Sequence, residues 1–407
     1  MSVNALRTSS EAPSRTPRPV KVMVVDDSAV IRGLLSRWIG EADGVDVVGS
    51  APNGKLAVER LETLDPDIVV LDIEMPEMDG LTALPLMLKS KPGLIVVMAS
   101  TLTRRNADIS LKALSLGATD YIPKPEGNSG VTTSVEFRRD LIERISGLAP
   151  KAIANAARRK ASASTSRDTM RRLEQRVESR IKTPAAAPAI TKPRSALASV
   201  PASQIALRQP SAVPPRVLVI GSSTGGPPAL AKVFAELKPV VPKVPILVTQ
   251  HMPPTFTAIL AEHITKTAGA PAAEGVDGEA ITAGRIYVAP GGKHMVIGGS
   301  STAPVIRLND DPPVNFCRPA VDPLFESASK IFGPAILAAV LTGMGQDGAA
   351  GGVVIANAGG TVIAQDEETS VVWGMPGATA QAGCCAAVLP LDRIGPKLAA
   401  IIGGKRS

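Results

Sequence analysis

Two separated series of short β-branched runs, each run followed by a stretch with helical apolar spacing, constrain this chain more than any other feature. The first series lies between Val20 and about Gly147 and reads VKVMVVDD, VDVVGSA, DIVVLDIEMP, LIVVMAS and TDYIPKP. The second starts at Arg216 and reads RVLVIGSS, PILVTQHMP, RIYVAPGG, PVIRLND, AILAAVLTGMG and TVIAQ. Apolar runs that alternate with helices are the pattern of βαβ units and parallel sheets covered on both faces. The expected fold class is α/β, with two doubly wound parallel-sheet domains joined by a long linker.

The divisions that follow are a disordered tail over 1–19, a first domain over 20–140, a basic Ala/Pro/Ser-rich linker over 141–213 and a second domain over 214–404. The net charge of +7 points first to a nucleic-acid partner, but residues 151–215 alone carry 13 Lys/Arg against 3 Asp/Glu, which leaves the remainder at −3. The basicity therefore belongs to the linker, where it reads as a solvated tether. With 2% aromatic residues and no helix-turn-helix pattern, no nucleic-acid partner is expected. The longest apolar runs fall well short of the roughly 20 residues of a membrane helix. Two of the three cysteines, Cys384 and Cys385, are adjacent, which suits neither a structural disulfide nor a metal-ligand pattern. A cytoplasmic protein without membrane insertion is expected.

In a doubly wound sheet, ligands bind at the carboxyl ends of the strands. Asp26 and Asp27 end the first run and Asp72 ends the third, so three carboxylates meet there. They would repel one another unless a hard divalent cation such as Mg²⁺ held them, and an incoming phosphoryl group would supply further oxygens. Asp72 is then placed to attack phosphorus, with Ser100 and Lys124 from two further strand ends neutralising phosphoryl oxygens. Any one of these carboxylates could be an ordinary loop acid; four strand ends agreeing argues otherwise. VVDDS at 24–28, LDIEMPEMDG at 71–80 and Lys124-Pro125 resemble two-component receiver domains. That resemblance implies a flavodoxin-like receiver, Mg²⁺ held near Asp26, Asp27 and Asp72, phosphorylation of Asp72 by a chemotaxis histidine kinase, and a phosphoryl switch through Ser100, Lys124 and Tyr121.

The run RVLVI passes directly into Gly221-Ser222-Ser223-Thr224-Gly225-Gly226, followed by two prolines suited to the first turn of a helix. Gly221, Ser223 and Gly225 satisfy G-x-S-x-G, a turn that projects a serine and frees backbone N–H groups for an oxyanion. The same turn could equally cradle a phosphate or serve only as a turn. A serine nucleophile needs a base, and all three histidines, at 251, 263 and 294, follow this turn. His263 reads as a surface residue of a helix. Two triads remain open on spacing: Ser223, His251 and Asp347, or Ser223, Asp277 and His294.

GSSTGG at 221–226, TQHMPP at 249–254, PGGKHM at 290–295, PPVNFCRPAVDPLF at 312–325, LTGMGQDGAAG at 341–351 and AQDEETSVVWGMP at 364–376 resemble the catalytic domain of chemotaxis protein-glutamate methylesterases. The resemblance implies a Rossmann-like serine hydrolase with Ser223 as nucleophile, His251 as base and Asp347 as the orienting acid, and with Thr224 and Met344 beside the oxyanion. It further implies methyl-accepting chemoreceptors as substrates, hydrolysis of glutamate γ-methyl esters to methanol, deamidation of certain glutamines, and no cofactor in the hydrolase site.

Overall fold

The computed structural model describes residues 18–101, 103–124, 135–179 and 205–404, with the backbone alone over 162–179. Most of the expected tail, the linker stretch 180–204 and Pro125 lie outside these residues.

The N-terminal unit is one parallel sheet of β1 (Val20–Val25), β2 (Val45–Ala51), β3 (Ile68–Asp72), β4 (Ile95–Thr101) and β5 (Asp120–Lys124), in the order β2-β1-β3-β4-β5. This is the flavodoxin-like order, with its crevice above β1 and β3. Between the strands run α1 (Ala29–Gly40), α2 (Gly54–Leu64), α3 (Gly80–Ser90) and α4 (Arg104–Ser115). Each starts on a polar cap: Ser28, Asn53, Asp79 and Thr103 accept from the N–H three residues on, which satisfies donors the helix leaves open.

The next helix, α5 (Val135–Ser179), departs from the expected linker, because the boundary at 140 falls inside it. Phe137, Leu141, Ile145, Leu148 and Ala152 are buried against the sheet face built from Val20, Val22, Ile68 and Ile95, and Ala156 one turn further on is buried as well. Their spacings of three and four residues make one helical stripe. It is inconspicuous in the sequence because its later members are alanines set among arginines.

The C-terminal unit is a seven-stranded parallel sheet of β6 (Val217–Ser222), β7 (Ile246–Gln250), β8 (Ala272–Glu274), β9 (Ile286–Val288), β12 (Ile336–Val340), β13 (Thr361–Gln365) and β14 (Ala387–Leu389), in the order β14-β13-β12-β6-β7-β9-β8. Strands β10 (His294–Ser300) and β11 (Ala303–Asn309) form a separate antiparallel hairpin. Helices α6 (Gly226–Leu237), α7 (Phe256–Ala268), α8 (Val321–Phe332), α9 (Ala349–Asn357), α10 (Met375–Gln381) and α11 (Leu391–Ile402) cover the sheet. The chain leaves β6 toward β7 on one side, while β12 returns on the other, so the switch of direction lies at β6 and β12. A ligand crevice is expected there. Among the described residues no helix is long and apolar enough to cross a membrane.

The two units are in contact. Tyr121 of β5 stacks on Phe256 of α7 with ring centroids 4.7 Å apart. At the rim of that contact Arg104 of α4 pairs with Glu262 at 2.7 Å and Asp108 with His263 at 3.5 Å. Helix α5 reaches the second unit as well: Lys151 donates to the carbonyl of Ser370, and Gly147 lies so close to Met344 that an added Cβ would stand 2.7 Å from its sulfur.

Candidate active site

Strand β6 pairs with β7 so that Ser222 stands beside Gln250. The next residues on the two strands, Ser223 and His251, are therefore neighbours at the carboxyl edge of the sheet, and the His251 N–H donates to the Ser222 carbonyl at 3.1 Å. The turn after Ser223 requires glycine at 225, where φ is +74° and any Cβ would meet Val371 at 2.5 Å. Gln250 braces the turn: its Oε1 accepts from the Ser222 hydroxyl at 2.7 Å and its Nε2 donates to the Ser223 carbonyl at 2.9 Å. Thr342, just past β12, donates to the Thr224 carbonyl at 2.9 Å, while its own carbonyl accepts from the Ser223 N–H at 3.0 Å. Among the described residues the N–H groups of Thr224 and Met344 have no backbone partner. Both remain available to an oxyanion.

Asp347 arrives on the loop after β12, the strand on the other side of β6. Its Oδ2 lies 2.7 Å from His251 Nε2 and accepts from the Val321 N–H at 2.6 Å, while Oδ1 accepts from the Asp322 N–H at 3.0 Å. Burial by itself would raise the Asp347 pKa, but His251 and those N–H groups hold it below the usual carboxylate range. A buried carboxylate so satisfied stays ionised and orients the imidazole.

With Nε2 held by Asp347, the other ring nitrogen is Nδ1. It lies 3.3 Å from the thiol sulfur of Cys317. Among the described residues Ser223 Oγ makes no hydrogen bond to the ring; such bonds are commonly loose before substrate binds. Burial favours the neutral imidazole, yet the Cys317 sulfur and the Asp347 carboxylate outweigh it and push the His251 pKa up to about 10.

The residues of the other spacing-compatible triad are not brought together. His294 accepts from the Ala320 N–H at 3.2 Å through Nδ1 and places Nε2 3.2 Å from the Pro312 carbonyl. Asp277 is bonded to the Leu308 N–H and paired with Arg307 at 3.5 Å on the exposed side of the hairpin. His263 sits at the contact between units, partnered by Asp108. Gln250, Cys317 and Asp322 were not singled out from the sequence; all three lie inside quoted motif blocks, Gln250 beside His251 and the other two in PPVNFCRPAVDPLF, but no local pattern ties them to Ser223.

At the carboxyl edge of the other sheet, Asp26, Asp27 and Asp72 each place a carboxylate oxygen within 4.8 Å of the others. Lys124 Nζ stands 3.1 Å from Asp26 and 2.7 Å from Asp72. Burial raises the Asp72 pKa to about 6 against the pull of Lys124, with Asp26 adding to the rise. Crowded hard oxygens of this kind fit a small divalent cation, which spans roughly 4 Å between opposite ligands. The buried Ser100 hydroxyl bonds Ser110 on α4 at 2.9 Å, and the hydroxyl of Tyr121, also buried, has no partner among the described residues.

Comparison with known proteins adds names to this geometry. Residues 218–398 match the CheB methylesterase family and residues 22–136 the response regulator receiver domain. The chain is 53% identical to a protein-glutamate methylesterase/protein-glutamine glutaminase of Rhodopseudomonas palustris over 99% of each chain. It is 51% identical to one of a group 2 operon of Bradyrhizobium diazoefficiens over 100% of each. The crystal structure of the Thermotoga maritima CheB methylesterase catalytic domain aligns over all of its own length and 46% of this chain, at 40% identity and a TM-score of 0.45.

Proposed function

Because this chain belongs to the CheB family of protein-glutamate methylesterases/protein-glutamine glutaminases, with a receiver domain ahead of the catalytic one, we propose that Ser223, His251 and Asp347 form its acyl-transfer site and that Asp72 controls it. The chain is a phosphorylation-regulated hydrolase of chemotaxis that demethylates glutamate γ-methyl esters and deamidates glutamines of chemoreceptors. The observation that carries the site assignment is the 2.7 Å bond between the buried Asp347 and His251, whose strand neighbour at the β6 edge is Ser223.

In this reading His251 Nδ1 takes the Ser223 proton as Oγ attacks the γ-carbonyl. The N–H groups of Thr224 and Met344 face the oxyanion, methanol or ammonia leaves with the proton returned by His251, and water then hydrolyses the glutamyl ester. Both substrates share one acyl-enzyme. A serine-directed fluorophosphonate should therefore label Ser223 and abolish methanol and ammonia release together; loss of only one activity would contradict a common site.

The ring can accept a proton only when neutral, so activity rises with pH as His251 deprotonates. Cys317 raises the His251 pKa, and its removal shifts that rise to lower pH. For Cys317→Ser the acid limb of the kcat/KM profile should move to lower pH, because the sulfur contact that helps hold the proton on His251 is gone. An unmoved limb would exclude this coupling.

In the receiver, Asp26, Asp27 and Asp72 would hold Mg²⁺, which supplies charge neutralisation for phosphoryl transfer to Asp72. The phosphodonor is a chemotaxis histidine kinase, the substrates are methyl-accepting chemoreceptors, and the chain works in the cytoplasm. A phosphoryl group on Asp72 draws the Ser100 hydroxyl toward its oxygens and away from Ser110. That frees α4, the helix whose Arg104 and Asp108 hold α7. The receiver also rests on the turn behind Ser223, through Lys151 on Ser370 and Gly147 on Met344. Loosening this contact is a population shift between two packings.

A further inference from the structure

Helices α8 and α9 begin side by side, and each is capped by an acid belonging to the other. Asp347, two residues ahead of α9, turns back onto the first N–H groups of α8, those of Val321 and Asp322. Asp322, the second residue of α8, reaches across to the start of α9, where its Oδ1 accepts from the Gly348 N–H at 2.9 Å and the Gly351 N–H at 2.7 Å. A helix N-terminus favours a carboxylate through its open N–H groups and its partial positive charge, and here two such ends are satisfied reciprocally. The approach is close: a Cβ on Gly351 would stand 2.6 Å from that of Phe325 and 3.1 Å from Asp322 Oδ1. Asn315 Nδ2 lies 3.4 Å from both acids.

The two acids differ in what they reach. Among the described residues Asp347 bonds His251, whereas Asp322 reaches the turn that carries Asp347, the Asp347 carboxyl itself and the Asn315 amide, and not the imidazole. We propose that Asp322 is a positioning residue for the reaction: by fixing the N–H groups of Gly348 and Gly351 it sets the turn that aims Asp347 at His251. The role rests on the Ser223–His251–Asp347 assignment and extends it by one residue. Charge balance in the pair is consistent with it. Burial raises the Asp322 pKa to about 6 despite the Gly351 N–H, with Asp347 adding to the rise, while Asp347 is held low. The site thus keeps its anionic character on the acid that faces the base.

A cap alone would affect stability; a positioning residue must affect turnover through Asp347. The test is a double-mutant cycle on the full chain, read as methanol release from a methylated receptor per phosphonate-titratable site. Asp322→Ala should lower kcat about 10- to 100-fold, as a displacement of order 1 Å of a catalytic group does, with KM within about two-fold. Asp322→Asn, which keeps an acceptor for Gly348 and Gly351, should recover kcat to a loss of about two- to five-fold. In an Asp347→Ala background the Asp322→Ala change should cost less than about two-fold further. A loss below ten-fold for Asp322→Ala, a matching loss in KM, or a loss that persists undiminished without Asp347 overturns the role. If Asp322→Ala does not fold, the cycle is run with Asp322→Asn, where a wild-type rate or an undiminished loss overturns it. An Asp347→Ala variant with unaltered kcat would overturn the triad itself, which separates that failure from this one.

Discussion

Ser223→Ala should leave full-length protein that folds, binds methylated receptor and releases methanol about 10³- to 10⁶-fold more slowly, since removal of a triad nucleophile typically costs that much. The substitution deletes one hydroxyl at a half-exposed position whose backbone is held independently by Thr342 and Gln250. The loss is therefore one of chemistry and not of structure, and melting temperature measured alongside turnover separates the two. Deamidation should fall with it. Methanol release within ten-fold of wild type would remove Ser223 from the mechanism.

The second large effect concerns the contact between domains. A fragment beginning at residue 205 should hydrolyse receptor esters faster than the unphosphorylated full chain, by about 5- to 150-fold, the range of a coupling free energy of 1–3 kcal/mol. The start point follows from packing. The Arg208 N–H donates to the Cys385 carbonyl at 2.8 Å, its guanidinium bonds Gly383 and Asn357, and the Ser211 N–H reaches Thr361 at 2.8 Å. A fragment cut at 214 would lose these ties. What the fragment gains is freedom from Gly147 and Lys151 at the Met344 and Ser370 turns, and from the Tyr121–Phe256 stack. Equal activities would mean that the receiver does not restrain the site.

The central strands of both sheets were legible in the sequence because they are buried on both faces, which writes uninterrupted runs such as IVVLD and AILAAVL, whereas the half-buried edge strands β8 and β14 left no such run. The ends of those runs then located Asp26, Asp72, Ser223 and His251, since strand ends in such sheets face one crevice. The choice between Asp347 and Asp277 was not legible from spacing. It depends on β12 lying beside β6 while the hairpin that meets Asp277 stands apart from the sheet, and strand order is a tertiary fact. Cys317 and Asp322 stayed hidden for the same reason: they come from the segment before α8 and from its first turn, some 66 and 71 residues past His251, and reach the site through packing. The continuation of α5 past residue 140 was missed because alanine carries little apolar signal, although Ala152 and Ala156 are as buried as the leucines before them.

Asp72 is the proposed input and Ser223 the proposed output of one molecule. The most direct test is methanol release from methylated receptors by the full chain, with and without a small-molecule phosphodonor and Mg²⁺, in wild type and in Asp72→Asn. Release by the wild type should rise about 5- to 150-fold with phosphodonor, while Asp72→Asn stays at the basal rate. A rise of equal size in Asp72→Asn, or a wild type that does not respond, would contradict it.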